Sequence, residues 1–264
     1  MKIAPFALSA AMLLTPLIGV GQAAGDLDIT FGGIGYVLTS GPFALQHAAA
    51  ALIQADGRII VSGEAVFQQG TDLGVARYLT DGELDVDFGT AGSVSVQADW
   101  TELVYSSALQ PDGRSVYAGF THDTAFKALL VRLDTSGVLD PTLGGTGTYV
   151  LHYPGEPAEF SDVIVQPDSK ILVCGSLAGD MWLHRILPDG TPHPTFGTQG
   201  HVRIPAGTAP TTASTNTLQP NRQVVVAGSS IARFNSDGTL DLAFGTLGAG
   251  QLPADISDPL FYDV

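Results

Sequence analysis

One stretch occurs four times in this chain and narrows the possible folds more than any other feature. The copies are Ile53-Gln54-Ala55-Asp56-Gly57-Arg58-Ile59-Ile60-Val61-Ser62-Gly63, Leu109-Gln110-Pro111-Asp112-Gly113-Arg114-Ser115-Val116-Tyr117-Ala118-Gly119, Val165-Gln166-Pro167-Asp168-Ser169-Lys170-Ile171-Leu172-Val173-Cys174-Gly175 and Leu218-Gln219-Pro220-Asn221-Arg222-Gln223-Val224-Val225-Val226-Ala227-Gly228. Each sets a polar turn between apolar runs. In the second copy Pro111 presets φ, Asp112 suits the next turn position and Gly113 can take φ > 0. That predicts a short hairpin loop that can carry a bulge. Ser169 replaces the glycine in the third copy and the fourth reads Asn221-Arg222, so those turns are expected to be strained or differently shaped.

A second motif, Leu-Asp-x-x-Phe-Gly-x-x-Gly, opens each unit: Leu27 to Gly35, Leu84 to Gly92, Leu139 to Gly147, a more divergent Pro192 to Gly200, and Leu240 to Gly248. Its anchors Phe31, Phe88, Leu143, Phe196 and Phe244 are 57, 55, 53 and 48 residues apart. A strand-rich period of this length means a solenoid, a propeller or another array.

Each unit reads as four strands. The first follows the opening (Gly35 to Thr39, Gly92 to Val96, Gly147 to Leu151), the second enters the turn, and the third leaves it. The fourth carries Arg77, Arg132, Arg185 or Arg233. Ala44 to Gln54 is Ala-rich, but its alignment with the second strand of other units makes it a strand. The fold is therefore expected to be all-β, a propeller-like array of four-stranded antiparallel blades with four complete repeats plus a partial fifth. An open array whose edges need a cap is the alternative. In the fifth unit, Gln251-Leu252-Pro253 is a poor first strand and Leu260 to Val264 a second. From the glycine that ends each third strand to the following arginine the offset falls from 14 to 13, 10 and 5, marking the connection where units differ most.

The N-terminus carries Lys2, the largely apolar run Ile3 to Val20 and the small residues of Gly21-Gln22-Ala23. This reads as a signal peptide over residues 1–23, followed by one β-repeat domain over 24–264 that is secreted, periplasmic or on the cell surface. No later apolar run is long enough to span a membrane. A net charge of −15 argues against nucleic acid, which needs a basic face. The single cysteine, Cys174, aligns with Ser62, Ala118 and Ala227 and reads as a small buried residue.

Together the opening, the Gln-Pro-Asp-Gly-Arg turn, the Ala-Gly strand end and the Arg-Tyr/Phe-x-x-Asp-Gly ending resemble the delta-60 repeat family, over about Leu27 to Gly248. The resemblance implies propeller-type blades in exported or surface bacterial proteins, with no reaction and no fixed catalytic residues. Leu143, Ser169, Pro192-His193 and Asn221-Arg222 depart from the pattern.

Motifs for catalysis are missing: there is no Gly-x-Ser-x-Gly elbow and no His-Glu-x-x-His. Six scattered histidines lack metal-ligand spacing, and His184 stands where other units have Ala76, Val131 and Ala232, as a packed side chain would. The recurring arginines point to a structural partner, the opening Asp of the next unit. Asp26 with Asp28, and Asp85 with Asp87, are candidate calcium ligands; otherwise no cofactor is indicated. Trp100, Tyr153 and Trp182 lie outside the repeat consensus and are candidates for stacking on a sugar. The expected function is a non-catalytic exported binding or scaffold module for an unknown protein or glycan. The alternatives are a hydrolase using carboxylates of a central channel on a glycan or peptide, and a truncated structural relic of a longer array.

Overall fold

The computed structural model describes residues 25–39, 45, 47–67, 70–204, 212–245 and 249–251. The expected signal peptide and the strand at Leu260 to Val264 lie outside them. The described residues are all-β, with no helix.

Strands β1 (His47–Ile53), β2 (Ile59–Phe67), β3 (Gly70–Tyr78) and β4 (Ser93–Val96) pair in order. So do β5 (Thr101–Leu109), β6 (Ser115–His122), β7 (Phe126–Leu133) and β8 (Thr148–Leu151). A single parallel pairing, Thr71 with Thr101, joins these two sets. A third sheet holds β9 (Ala158–Val165), β10 (Ile171–Leu177), β11 (Asp180–Ile186) and β12 (His201–Ile204). The fourth holds β13 (Ala213–Leu218), β14 (Val224–Gly228), β15 (Ser230–Phe234) and β16 (Ala249–Gln251).

The sheets are out of phase with the sequence repeat. The strand after each opening motif does not begin a sheet; it closes the sheet before it, β4 on β3, β8 on β7, β12 on β11 and β16 on β15. Gly35 to Thr39, expected to be the first such strand, forms none among the described residues.

Both faces of the middle strands are apolar, so successive sheets stack face to face. Ile60, Val75, Tyr117 and Val131 fill the first interface; Val116, Leu130, Val173 and Trp182 the second; Leu172, Leu183, Val226 and Phe234 the third. Cys174 is buried in the third, where desolvation pushes its thiol up. Phe88, Leu143 and Phe196, the anchors of three openings, each plug one of these interfaces.

The leading strands β1, β5, β9 and β13 pack side by side. Each is bulged where it faces a glycine of its neighbour: Ala48 opposite Gly63, Val104 opposite Gly119, Phe160 opposite Gly175 and Ala213 opposite Gly228. A Cβ on Gly119 would stand 1.8 Å from the Leu103 carbonyl oxygen, which is why a glycine faces the bulge. Next to its bulge Asp162 joins three leading strands. It accepts from Ser106 Oγ of β5 at 2.7 Å, and from Thr215 Oγ1 (3.1 Å) and the Asn216 amide (2.7 Å) of β13.

All four turns, three of them Gln-x-Asp-x and the fourth Gln219-Pro220-Asn221-Arg222, have one shape. The fourth residue donates its N–H to the glutamine carbonyl at 2.8–2.9 Å, and its φ is +84° at Gly57, +86° at Gly113, +63° at Ser169 and +68° at Arg222. The third and fourth turns therefore keep the common geometry and carry the strain of a left-handed non-glycine residue.

The recurring arginines have the expected partners. Arg77 Nε donates to Asp85 Oδ2 at 2.8 Å, Arg132 Nε stands 2.8 Å from Asp140 Oδ2, and Arg233 Nε donates to Asp241 Oδ2 at 2.8 Å. Arg77, Arg132 and Arg185 also reach into the next unit, donating to the carbonyls of Thr135, Pro188 and Ser236. Arg185 differs because His193 occupies the aspartate position: its guanidinium lies 4.1 Å over the Phe196 ring, its buried Nε has no hydrogen-bond partner, and burial pulls its pKa down. Substituting His193→Asp is expected to stabilise the protein by about 1–2 kcal/mol, the worth of a hydrogen bond to a charged group. An increased urea midpoint with unchanged m-value would show it; a lowered midpoint would refute it.

Candidate functional site

The strand order puts two kinds of surface at opposite ends of the sheets. The Gln-x-Asp-x turns and the openings lie at one end, where β1 meets β2 and β3 meets β4. That end repeats from unit to unit, and its charges are occupied by the arginine ties. The other end holds the tips of the β2–β3, β6–β7 and β10–β11 hairpins, together with the connections between sheets.

The shrinking offsets belong to this second end and arise from strand length rather than loop length. Beyond the bulge glycine, β2 runs on to Phe67, β6 to His122 and β10 to Leu177, while β14 stops at Gly228. The hairpins thus project by decreasing amounts around the array.

The longer hairpins carry a chain of aromatic rings. Tyr105 lies 5.8 Å from Phe120, Phe120 lies 5.1 Å from Phe126, and Phe126 lies 4.5 Å from His122. Tyr105 is the bulged residue of β5, so the extra residue turns a side chain out of the normal alternation. It and Phe126 are about half exposed, and Val66 and Phe67 of the first hairpin are also partly open to solvent. Trp100, on the β4–β5 connection, is 73% exposed, and its carbonyl packs against Gly70 at the tip of the first hairpin.

Carboxylates flank these rings. Glu64 Oε2 lies 3.2 Å from His47 Nδ1. Burial, with Glu159 and Glu64 adding to it, pushes the Tyr105 hydroxyl up to about 12. Burial also raises Glu159 and Glu102. Glu102 is fully buried and accepts from Thr121 Oγ1 at 2.9 Å, while its second oxygen has no partner. Lys127 clamps Asp99 (2.8 Å) and Asp123 (2.9 Å) beside it. Acid–base hydrolysis needs two carboxyls converging on one reacting bond. Burial raises Glu159, and burial with Asp72 adding to it raises Glu102.

The structure brings Trp100 and Tyr153 to equivalent connections, β4–β5 and β8–β9, at the variable end. Trp182 is fully buried, stacked on Phe160 at 5.1 Å with Tyr153 edge-on at 5.8 Å. It is a core residue of the second interface and offers no face to a sugar. His184 beside it is also core: its Nε2 is 3.2 Å from the Tyr149 hydroxyl, and burial pushes it down to about 3.

The four calcium candidates stay apart from this surface. Asp85 is buried, with Arg77 at 2.8 Å and Arg58 at 3.3 Å, so guanidinium groups take the place of a cation. Exposed Asp87 gives its N–H to Asp85 Oδ1. Asp28 accepts from the Thr30 N–H and hydroxyl, and Asp26 is exposed two residues away. Among the described residues no group of three or more His, Cys, Asp or Glu could hold a metal ion.

Sequence reasoning missed Tyr105, Phe120, Phe126, Glu102 and Glu159. The available signal was register: Tyr105 aligns with Ala49, Ser161 and Ser214 at the other bulges.

Three segments, residues 54–88, 110–143 and 219–244, match the family described as "Domain of unknown function (DUF5122) beta-propeller". Each runs from a Gln-x-Asp-x turn to, or close to, the next opening anchor. Over these three segments the chain is similar to a beta-propeller family; the matches do not extend to the delta-60 name. No curated protein matches the chain. Similar solved structures include a catalytically inactive virginiamycin B lyase from Staphylococcus aureus with quinupristin, at 12% identity and TM-score 0.49, covering 80% of this chain and 57% of that one. A protein from Lactobacillus plantarum is 15% identical at TM-score 0.49, covering 81% and 59%. A gluconolactonase from Xanthomonas campestris is 15% identical at TM-score 0.30, covering 83% and 89%. The chain spans under two thirds of the first two. Among the described residues no helix is long and apolar enough to cross a membrane.

Proposed function

We propose that this chain is a non-catalytic, exported binding module of propeller type, with its four sheets as complete blades, the fourth closed by β16. The ligand surface is the hairpin-tip end. The observation that carries this reading is the aromatic chain Tyr105–Phe120–Phe126–His122, whose Tyr105 and Phe126 rings are exposed and rest on the buried Phe120, with Trp100 nearby in sequence on the same end, built by residues the repeat does not require. Flat rings bordered by carboxylates suit the C–H faces and hydroxyls of a glycan, or an apolar peptide. Export rests on Lys2, the apolar run and Gly21-Gln22-Ala23.

The two tryptophans make the reading testable. Trp100 is exposed and Trp182 is sealed in the core. Titrating the mature protein with chitohexaose, cellohexaose and soluble peptidoglycan fragments should change the fluorescence of Trp182→Phe but not of Trp100→Phe. Trp100→Ala should weaken the responding ligand about tenfold, the loss of one stacking contact, without moving the unfolding midpoint. No response from any member would remove the glycan form of the proposal.

A further inference from the structure

The third sheet departs from the others at one cross-strand pair. Facing each other across the last two strands are Ala76 and Ser93 in the first set, Val131 and Thr148 in the second, and Ala232 and Ala249 in the fourth sheet. In the third sheet the pair is His184 and His201, with their rings stacked at 6.1 Å. His184 is 2% exposed and lies among the rings of Trp182 (5.7 Å), Tyr149 (5.8 Å) and Phe160 (6.3 Å). Its Nε2 shares one hydrogen bond with the Tyr149 hydroxyl at 3.2 Å, and its buried Nδ1 has no partner. His201 is half-buried.

The cover over these rings is light. Tyr149 belongs to β8, which is four residues long and pairs with β7 alone among the described residues. Tyr153, edge-on to Trp182 at 5.8 Å, follows in the connection to β9. That connection is tied to β12 by the Glu156–Arg203 pair at 2.9 Å, which is open to solvent. Beneath it the Trp182 indole N–H is buried without a partner, as His184 Nδ1 is. Closure thus leaves two polar atoms desolvated and unpaired, which weakens the closed state. A short edge element with few hydrogen bonds opens at lower free energy than the sheets it covers.

We propose that β8 and its connection to β9 form an acid-released strap, closed over His184 and His201 at neutral pH and lifting from β11 and β12 when the two imidazoles take up protons. An imidazolium donates from both nitrogens. Tyr149 accepts from one, and the other has no acceptor inside the closed cage. A second charge on the stacked His201 opposes the first. The groups facing the pair offer no counter-charge: burial keeps the Tyr149 and Tyr153 hydroxyls protonated, and Phe160 on β9, Val173 on β10 and Leu130 on β7 are apolar. Arg203 on β12 adds repulsion at His201 and takes up the Glu156 carboxylate. Glu159 and Arg185, next in sequence to Phe160 and His184, project from the opposite faces by alternation, and His152 is exposed. Burial, with His201 adding to it, holds His184 down at about 3 from the ordinary 6.5, so the open strap binds a proton that the closed one does not. Closure is therefore fully favoured above pH 6.5 and weakens as pH falls from there, by about tenfold per unit for His184. His201, also lowered by burial, adds to the first part of that loss. The device works whatever ligand the hairpin tips take.

Trp100→Phe leaves Trp182 as the one tryptophan of the chain, so acrylamide quenching reads the closure directly. Between pH 7 and pH 5, quenching of Trp182 in that protein is expected to rise, reversibly. Amide exchange of residues 148–153, corrected for its intrinsic pH dependence, should quicken by at least about tenfold while residues 171–176 of β10 stay protected. His184→Val combined with His201→Thr copies the pair of the second set and should abolish both responses, whereas His152→Gln and Glu156→Gln should keep them. The proposal is overturned by unchanged quenching and exchange between pH 7 and pH 5, by the same responses in the double variant, or by β10 losing protection together with β8, which is unfolding of the whole sheet rather than release of a strap.

Discussion

Arg132→Leu is expected to destabilise the protein by about 3–5 kcal/mol, the cost of breaking a buried ion pair from one side. The side chain is 1% exposed and is the point where two units are joined. It stands 2.8 Å from Asp140, donates to the Pro188 carbonyl of the next unit at 2.9 Å, and reaches the Thr142 hydroxyl at 2.6 Å. Removing it leaves Asp140 buried with only Arg114, 2.8 Å away, to balance it. Urea unfolding of the two proteins measures the loss. Arg185→Leu provides the contrast. No carboxylate is stranded there, since His193 replaces the aspartate, so the loss should be about half as large or less. Equal losses at both sites would show that packing of the long side chain, rather than the ion pair, joins the units.

Gly119→Ala is expected to cost about 3–5 kcal/mol, at the upper end for a single methyl group. Its φ is not in the left-handed region; space is the constraint. The new Cβ would meet the Leu103 carbonyl oxygen at 1.8 Å and the Val104 Cα at 2.8 Å, and both are backbone atoms of a packed strand. The bulge in β5 must open, which loosens Tyr105 and the contact from Ser106 to Asp162. Gly145→Ala serves as the control. Nothing lies within 4 Å of its Cβ, and only its φ of +82° opposes the change, so about 1 kcal/mol is expected. A midpoint for Gly119→Ala as high as that of Gly145→Ala would refute the steric account. Loss of Tyr105 ring contacts in the aromatic NMR spectrum would confirm that the damage reaches the candidate surface.

Much of the scaffold was legible because local chemistry repeats. The Asp-Gly turns, the strand assignment of the Ala-rich segment, and the pairing of Arg77, Arg132 and Arg233 with the opening aspartates all follow from aligned copies. The phase of the sheets did not follow. A period fixes the length of a unit, but nothing in the residues marks where one sheet ends, and only hydrogen bonding shows that Ser93 to Val96 belongs with β3. Trp182 was flagged because it differs from Gly74, Leu129 and Ser230 at its aligned place. Its burial was hidden because both faces of these strands are apolar, so alternation cannot show an outside. Asp85 looked like half of a cation site, since a carboxylate reads the same whether it faces calcium or arginine. The aromatic surface depended on the bulge at Tyr105, a one-residue change of register that leaves no mark in composition.

The offset between sequence unit and sheet has a consequence for how such a chain can lengthen. Each genetic unit carries the closing strand of one sheet and the first three strands of the next. An in-frame duplication of a whole unit, wherever the crossover falls, inserts one complete sheet and leaves its neighbours complete as well. The arginine of the inserted copy meets a carbonyl in the copy that follows it and, in every unit except the one opened by His193, an aspartate. Growth or loss by whole units is therefore neutral for the junctions.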